Sequence, residues 1–182
     1  MDDSEIVAAC LRGEKEAFRR IMDAHAGSAL ALAFNVLRNR QDAEDVCQEA
    51  FVQTYRHLGR FDGRAKLRTW LLTIVYRRSL DVLKRKRRFR LAVRLAGREV
   101  IGGPGLEEAD PVAGSDARIL PSRWLEVLTP RERTALCLWA DEGLTAAEIA
   151  GVLGCAAATA RVTLFNARRK IKALMENAHA AH

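Results

Sequence analysis

The sequence predicts an all-α protein: two small helical domains joined by a flexible linker. Three observations lead there. Only 6% of the 182 residues are aromatic, while Ala, Leu and Arg abound, a mix that favours helices over sheets. Apolar residues recur at three- and four-residue steps wherever a pattern exists. Between 97 and 121 that pattern stops, and five of the twelve glycines and three of the four prolines gather there.

The elements follow in order. Residues 5–37 read as helix with a break at Gly13, and Phe18, Ile21, Met22, His25, Ala29, Leu32, Ala33, Val36 and Leu37 form one apolar face. "RNRQ" interrupts it at 38–41, with Asn39 as N-cap of the next helix. There Ala43, Val46, Cys47, Ala50, Phe51, Tyr55 and Leu58 are the expected buried stripe. After the loop "GRFDG", a long helix starts at Leu67 and is expected to bury Leu67, Trp70, Leu71, Ile74 and Val82. Domain boundaries are placed at 1–90 and 119–182, with a linker over 91–118. In the second domain "TPRE" (129–132) and "TAAE" (145–148) are capping boxes, the first with Pro at the opening helical position. A turn at Gly154 then leads into a basic helix reaching about Met175. Two helices joined by a tight Gly-bearing turn, the second basic, describe a helix-turn-helix.

Charge narrows the function. The chain carries 30 Lys+Arg against 23 Asp+Glu, net +7, with a pI near 9.7. Residues 64–90 hold eleven bases and one acid, Asp81, which is more than the negative pole of a helix needs and suits a nucleic-acid surface. The last helix has Arg161, Arg168, Arg169, Lys170 and Lys172, no acid between 156 and 175, and small residues in its first turn. A helix so built enters a major groove and grips phosphates. Against this background "QDAEDVCQEAFVQTY" (41–55) has four acids and no base. Acids in a first turn complement the helix dipole, but Glu49 lies two turns in. A strip of this kind is repelled by phosphate and is expected to meet a basic protein partner.

Other classes are disfavoured. The cysteines at 10, 47, 137 and 155 form no CxxC pair and have no histidine at ligand spacing, so no metal site is expected. No cofactor and no catalytic residue is assigned. A nuclease holding Mg²⁺ on Asp42, Asp45 and Glu49 would lack a nucleophile, a His base or a phosphate loop. The start, "MDDSEIVAAC", lacks the order of a signal peptide, no apolar run reaches about 20 residues, and the expected location is cytoplasmic.

With these residues in view, "NRQDAEDVCQEAFVQTYRHLGRFDGRAKLRTWLLTIVYRRSLDVLKRKRR" resembles region 2 of bacterial sigma factors. "LTPRERTALCLWADEGLTAAEIAGVLGCAAATARVTLFNARRKIKAL" resembles region 4. Two such domains with a short linker are similar to the extracytoplasmic-function (ECF) group. The resemblance implies a dissociable sigma factor that binds core RNA polymerase, directs promoter-specific initiation and is held by an anti-sigma factor. It implies polymerase docking through Asp42, Glu44, Asp45, Gln48 and Glu49. It implies −10 strand recognition by Phe61, Arg64, Lys66, Arg68, Thr69, Trp70, Thr73, Tyr76 and Arg77. For the −35 duplex it points to Thr159, Arg161, Val162, Thr163, Asn166, Arg168 and Arg169. Where the family often has Asn this chain has Arg77, and "RVTLFNAR" departs from the common recognition-helix string, so the resemblance implies the function without a target sequence. The second domain alone also resembles the output domain of LuxR-like regulators. The two readings part at 41–90, where a receiver domain would alternate strands with helices and this segment shows no strand pattern.

Overall fold

Local rules set the helix ends. In a computed structural model, which describes residues 2–96 and 127–180, α1 (Asp3–Leu11) opens on a capping box between Asp2 and Glu5. Gly13, at φ +87°, breaks the chain before α2 (Lys15–Leu37). Arg38 turns left-handed at φ 56°, and the Asn39 side chain accepts from Asp42 N to cap α3 (Arg40–His57). A 3₁₀ turn over Leu58–Arg60 leads through a loop to α4 (Leu67–Leu95). In the second half, α5 (Pro130–Ala140) and α6 (Ala146–Leu153) each begin on the expected Thr/Glu capping box. Gly154 ends α6 left-handed at φ 63°, with Cys155 N donating back to Ala150 O at 3.0 Å, and α7 spans Ala157–Ala180. All regular elements among the described residues are helices.

The core crosses the boundary between the halves. Ala29, Leu32, Ala33 and Val36 of α2 and Leu71, Leu72, Val75 and Tyr76 of α4 share one buried cluster with Ala135, Leu138, Leu144, Ile149 and Val152. A smaller cluster under α1 joins Val7, Cys10, Ile21, Leu58 and Leu67, and a third joins Leu128 and Leu136 to Ala167 and Ile171 of α7. Among the described residues, no single helix is long and apolar enough to cross a membrane.

Some expected stripes shift. Tyr55 is 51% exposed and Met22 40%, whereas Thr54 is fully buried in the place foreseen for Tyr55. The Tyr55 ring instead sits edge-on to Phe18, centroids 4.9 Å apart. On α4 the inner positions are Leu67, Leu71, Leu72, Val75, Tyr76 and Ser79, while Trp70, Ile74 and Val82 are half-buried. The reason is that α4 packs on α2 and α3 along one side and on α6 along another, which widens and rotates its buried face. The helix also runs on through Leu95, so 91–95 are helical where linker was expected. "RLAVRL" contains good helix formers and neither Gly nor Pro. From residue 97 on, the expected linker lies outside the described residues.

Candidate nucleic-acid and protein-docking interfaces

The acidic stretch forms the outer face of α3, but neighbouring bases reach it. Asp42 accepts from Lys86 Nζ of α4. Glu44 pairs at 2.8 Å with Arg40 one turn earlier. Glu49 stands 3.4 Å from Arg78, which also donates to Gln53 Oε1 at 2.7 Å. Glu44, Asp45, Gln48 and Glu49 are exposed and Asp42 is half-buried. Beneath them Cys47 packs inward, its thiol pushed up to about 12 by burial and by Glu44. α4 thus neutralises the inner edge of the strip and leaves its outer edge to solvent. Exposed Val52 and Tyr55 extend that edge with apolar surface.

The candidates on the loop and α4 divide into two sets. Arg64 is exposed and clamped to Asp62, its Nε donating at 2.6 Å; the hydrogen bond from Arg64 holds the Asp62 carboxyl below its usual range. Phe61 and Trp70 form a tilted ring pair at 5.6 Å, both half-buried, and Arg77 is exposed. The second set turns toward the C-terminal half. Lys66 lies 3.4 Å from Glu148, and Arg68 donates to both the carboxylate and the backbone carbonyl of Glu142. Thr69 and Tyr76 are 4% and 6% exposed, and burial raises the Tyr76 hydroxyl pKa. Thr73 is half-buried and donates to Thr69 O at 2.8 Å.

On α7 the geometry of a reading helix is present. Thr159, Arg161, Val162, Arg168 and Arg169 are exposed, with Thr163 and Asn166 half-buried beside them. Ala160, Ala167 and Ile171 face inward. The Arg168 guanidinium lies over the Trp139 ring at 4.6 Å and that of Arg169 over Phe165 at 6.0 Å, cation–π contacts that hold both heads on the exposed side of α7. Glu132 closes the α5 capping box and also accepts from Lys170 Nζ at 2.7 Å. Burial pushes its pKa up, yet Lys170 and the Thr129 hydrogen bonds outweigh that and hold it below the usual value. One carboxylate therefore caps α5 and anchors α7.

The residues that join the halves carried no sequence signal. Asn35 Nδ2 donates to Cys137 Sγ at 3.0 Å and Ser28 donates to Glu142 Oε2 at 2.9 Å. Their partners lie more than a hundred residues away or in an unpatterned loop, beyond any local spacing rule.

Comparison with known proteins agrees with this arrangement. Residues 21–89 match the family model described as Sigma-70 region 2 and residues 123–171 match Sigma-70, region 4, together well over half of the chain. The chain is 29% identical to RNA polymerase sigma-H factor of Pseudomonas aeruginosa, covering 93% of this chain and 91% of that one. It is 27% identical to ECF RNA polymerase sigma factor SigW of Bacillus subtilis, with 88% and 90% covered. The solved structure of CnrH in complex with the cytosolic domain of CnrY superposes with a TM-score of 0.68 at 25% identity, over 96% of this chain and 97% of that one. The sigma factor RpoE of Bartonella quintana, solved with the anti-sigma factor NepR, shares the fold with a TM-score of 0.63 at 21% identity, over 87% and 96%. With both sigma regions in one chain and ECF relatives aligned along nearly all of it, the chain belongs to the sigma-70 family, in its extracytoplasmic-function group.

Proposed function

We propose that this sigma factor divides promoter-directed initiation among three surfaces. Asp42, Glu44, Asp45, Gln48 and Glu49 on α3 dock on a basic surface of core RNA polymerase. The loop and first half of α4, from Phe61 to Arg77, capture the unpaired −10 strand. The exposed face of α7, from Thr159 to Arg169, reads the −35 duplex. The observation that carries this division is the segregation of charge: one acidic face on α3, and basic faces on α4 and α7. An acidic face repels phosphate and attracts a basic protein, and basic faces do the reverse. The chain works by binding, without catalysis of its own, in the cytoplasm where polymerase and promoters are.

Control by an anti-sigma factor belongs to the same reading. It is supported by the likeness to CnrH, which was solved with the cytosolic domain of CnrY bound. The test of the function is run-off transcription with core polymerase, this chain and a genomic fragment library. Transcripts that need the chain, with start sites sharing upstream sequence, are the expected result. No transcript above core polymerase alone would refute it.

A further inference from the structure

The contact between Arg68 and Glu142 joins a residue of the −10 surface to the other half of the molecule. Glu142 sits in the loop after α5, next to Gly143 at φ +62°, and its side chain is only 9% exposed. Its carboxylate accepts from Arg68 and from Ser28 Oγ, and its carbonyl also accepts from Arg68. Lys66 and Glu148 flank this contact, and Tyr76 lies in the shared core with Leu144 and Ile149. Three of the −10 candidates are thus engaged or covered by the C-terminal half. Arg68 is nevertheless under-satisfied, since its Nε is buried with no hydrogen-bond partner. A guanidinium presents a fork of donors suited to two oxygens of a phosphate, and here part of that fork is idle.

We propose that Glu142 is an internal stand-in for a DNA phosphate: it occupies Arg68 in a closed arrangement that excludes the −10 strand. Strand capture then requires the C-terminal half to leave, which frees Arg68, Lys66 and Tyr76 together. The same departure lets α7 move toward its own duplex. A ligand that binds only the open form sees its affinity reduced by the fraction of open molecules. The proposal rests on the assignment of Arg68 to the −10 surface.

The test uses the full chain in three forms: unaltered, Glu142→Gln, and Glu142→Gln with Arg68→Ala. Each is measured by small-angle scattering and by binding to an oligothymidine of about 20 nucleotides, a sequence-neutral single strand. Glu142→Gln is expected to enlarge the radius of gyration and tighten oligothymidine binding about tenfold, the gain for a form that was about one-tenth open. Adding Arg68→Ala is expected to remove that gain. Ser28→Ala, which takes a donor from the same carboxylate without touching Arg68, is expected to act in the same direction more weakly, and serves if Glu142→Gln fails to fold. Unchanged shape and affinity in the Glu142 and Ser28 variants overturn the latch, as does a gain that survives Arg68→Ala. Run-off transcription separates the two failures. Arg68→Ala transcribing like the unaltered chain removes Arg68 from the promoter surface and overturns both readings. Transcript loss in Arg68→Ala, with no change of shape in Glu142→Gln, overturns the latch alone.

Discussion

Glu49 on α3 and Arg78 on α4 form an ion pair at 3.4 Å across the edge of the acidic face. The stretch that contains no base of its own is therefore balanced from a neighbouring helix, at Glu49 by Arg78 and at Asp42 by Lys86. Asp45, between them on the outer surface, is exposed.

This makes Asp45 the sharper probe of polymerase docking. Asp45→Arg together with Glu49→Arg is expected to abolish co-elution with core polymerase on gel filtration. Folding is expected to survive, because the Glu49–Arg78 pair is mostly exposed and such pairs contribute about 1 kcal/mol or less. The melting temperature is predicted to move by no more than a few degrees, and assembly at unaltered affinity would withdraw the docking assignment.

His25 gives the stability of the folded chain a pH dependence. It is half-buried on α2, its Nδ1 lacks a partner, and it senses the charges of Arg68 on α4, Asp3 on α1 and, across the boundary, Glu142. Burial, then Arg68, lowers its pKa, while Asp3 and Glu142 pull the other way without prevailing. The folded chain holds the His25 proton less readily than the unfolded one. Its contribution is complete above the unfolded value of about 6.5 and declines as pH falls below it toward the lower folded value. His25→Gln is predicted to flatten the loss of stability as pH falls below about 6.5 in urea denaturation. An equal slope in both proteins would show that His25 does not carry it.

Two glycines of the helix-turn-helix should respond oppositely to alanine. Gly154 holds φ +63° at the end of α6, where a side chain is strained whatever the space. Gly151 is an exposed residue within α6, with nothing within 4 Å of an added Cβ. Gly154→Ala is predicted to cost about 1 kcal/mol and Gly151→Ala to gain roughly 0.5–1 kcal/mol. Thermal denaturation of the two variants checks both signs.

Arg168 and Arg169 of α7 are predicted to contribute to the salt dependence of duplex binding. Each phosphate contact adds about −0.9 to the slope of log affinity against log salt, so replacing both with Ala should flatten it by about two units. A loss of about one unit would mean that only one of the two reaches a phosphate, and no loss would place both away from DNA.

The sequence by itself determined the helices and most of their ends, the C-terminal end of α4 excepted. Gly13, Asn39, Thr129, Thr145 and Gly154 act through their own backbone and the next few residues, so their roles were legible at once. The charge segregation behind the proposed surfaces was equally legible, because charge counts need no coordinates. Tertiary structure decided what lies between. Whether Thr54 or Tyr55 turns inward, and that Tyr76 lies beneath the second half while Trp70 stays at the rim, depends on which helices approach α3 and α4. A helix packed on two sides has no single stripe for periodicity to find. The pairs Lys86–Asp42, Arg78–Glu49 and Arg68–Glu142 join residues 29 to 74 positions apart, and no local rule couples such positions until packing brings them within reach of each other.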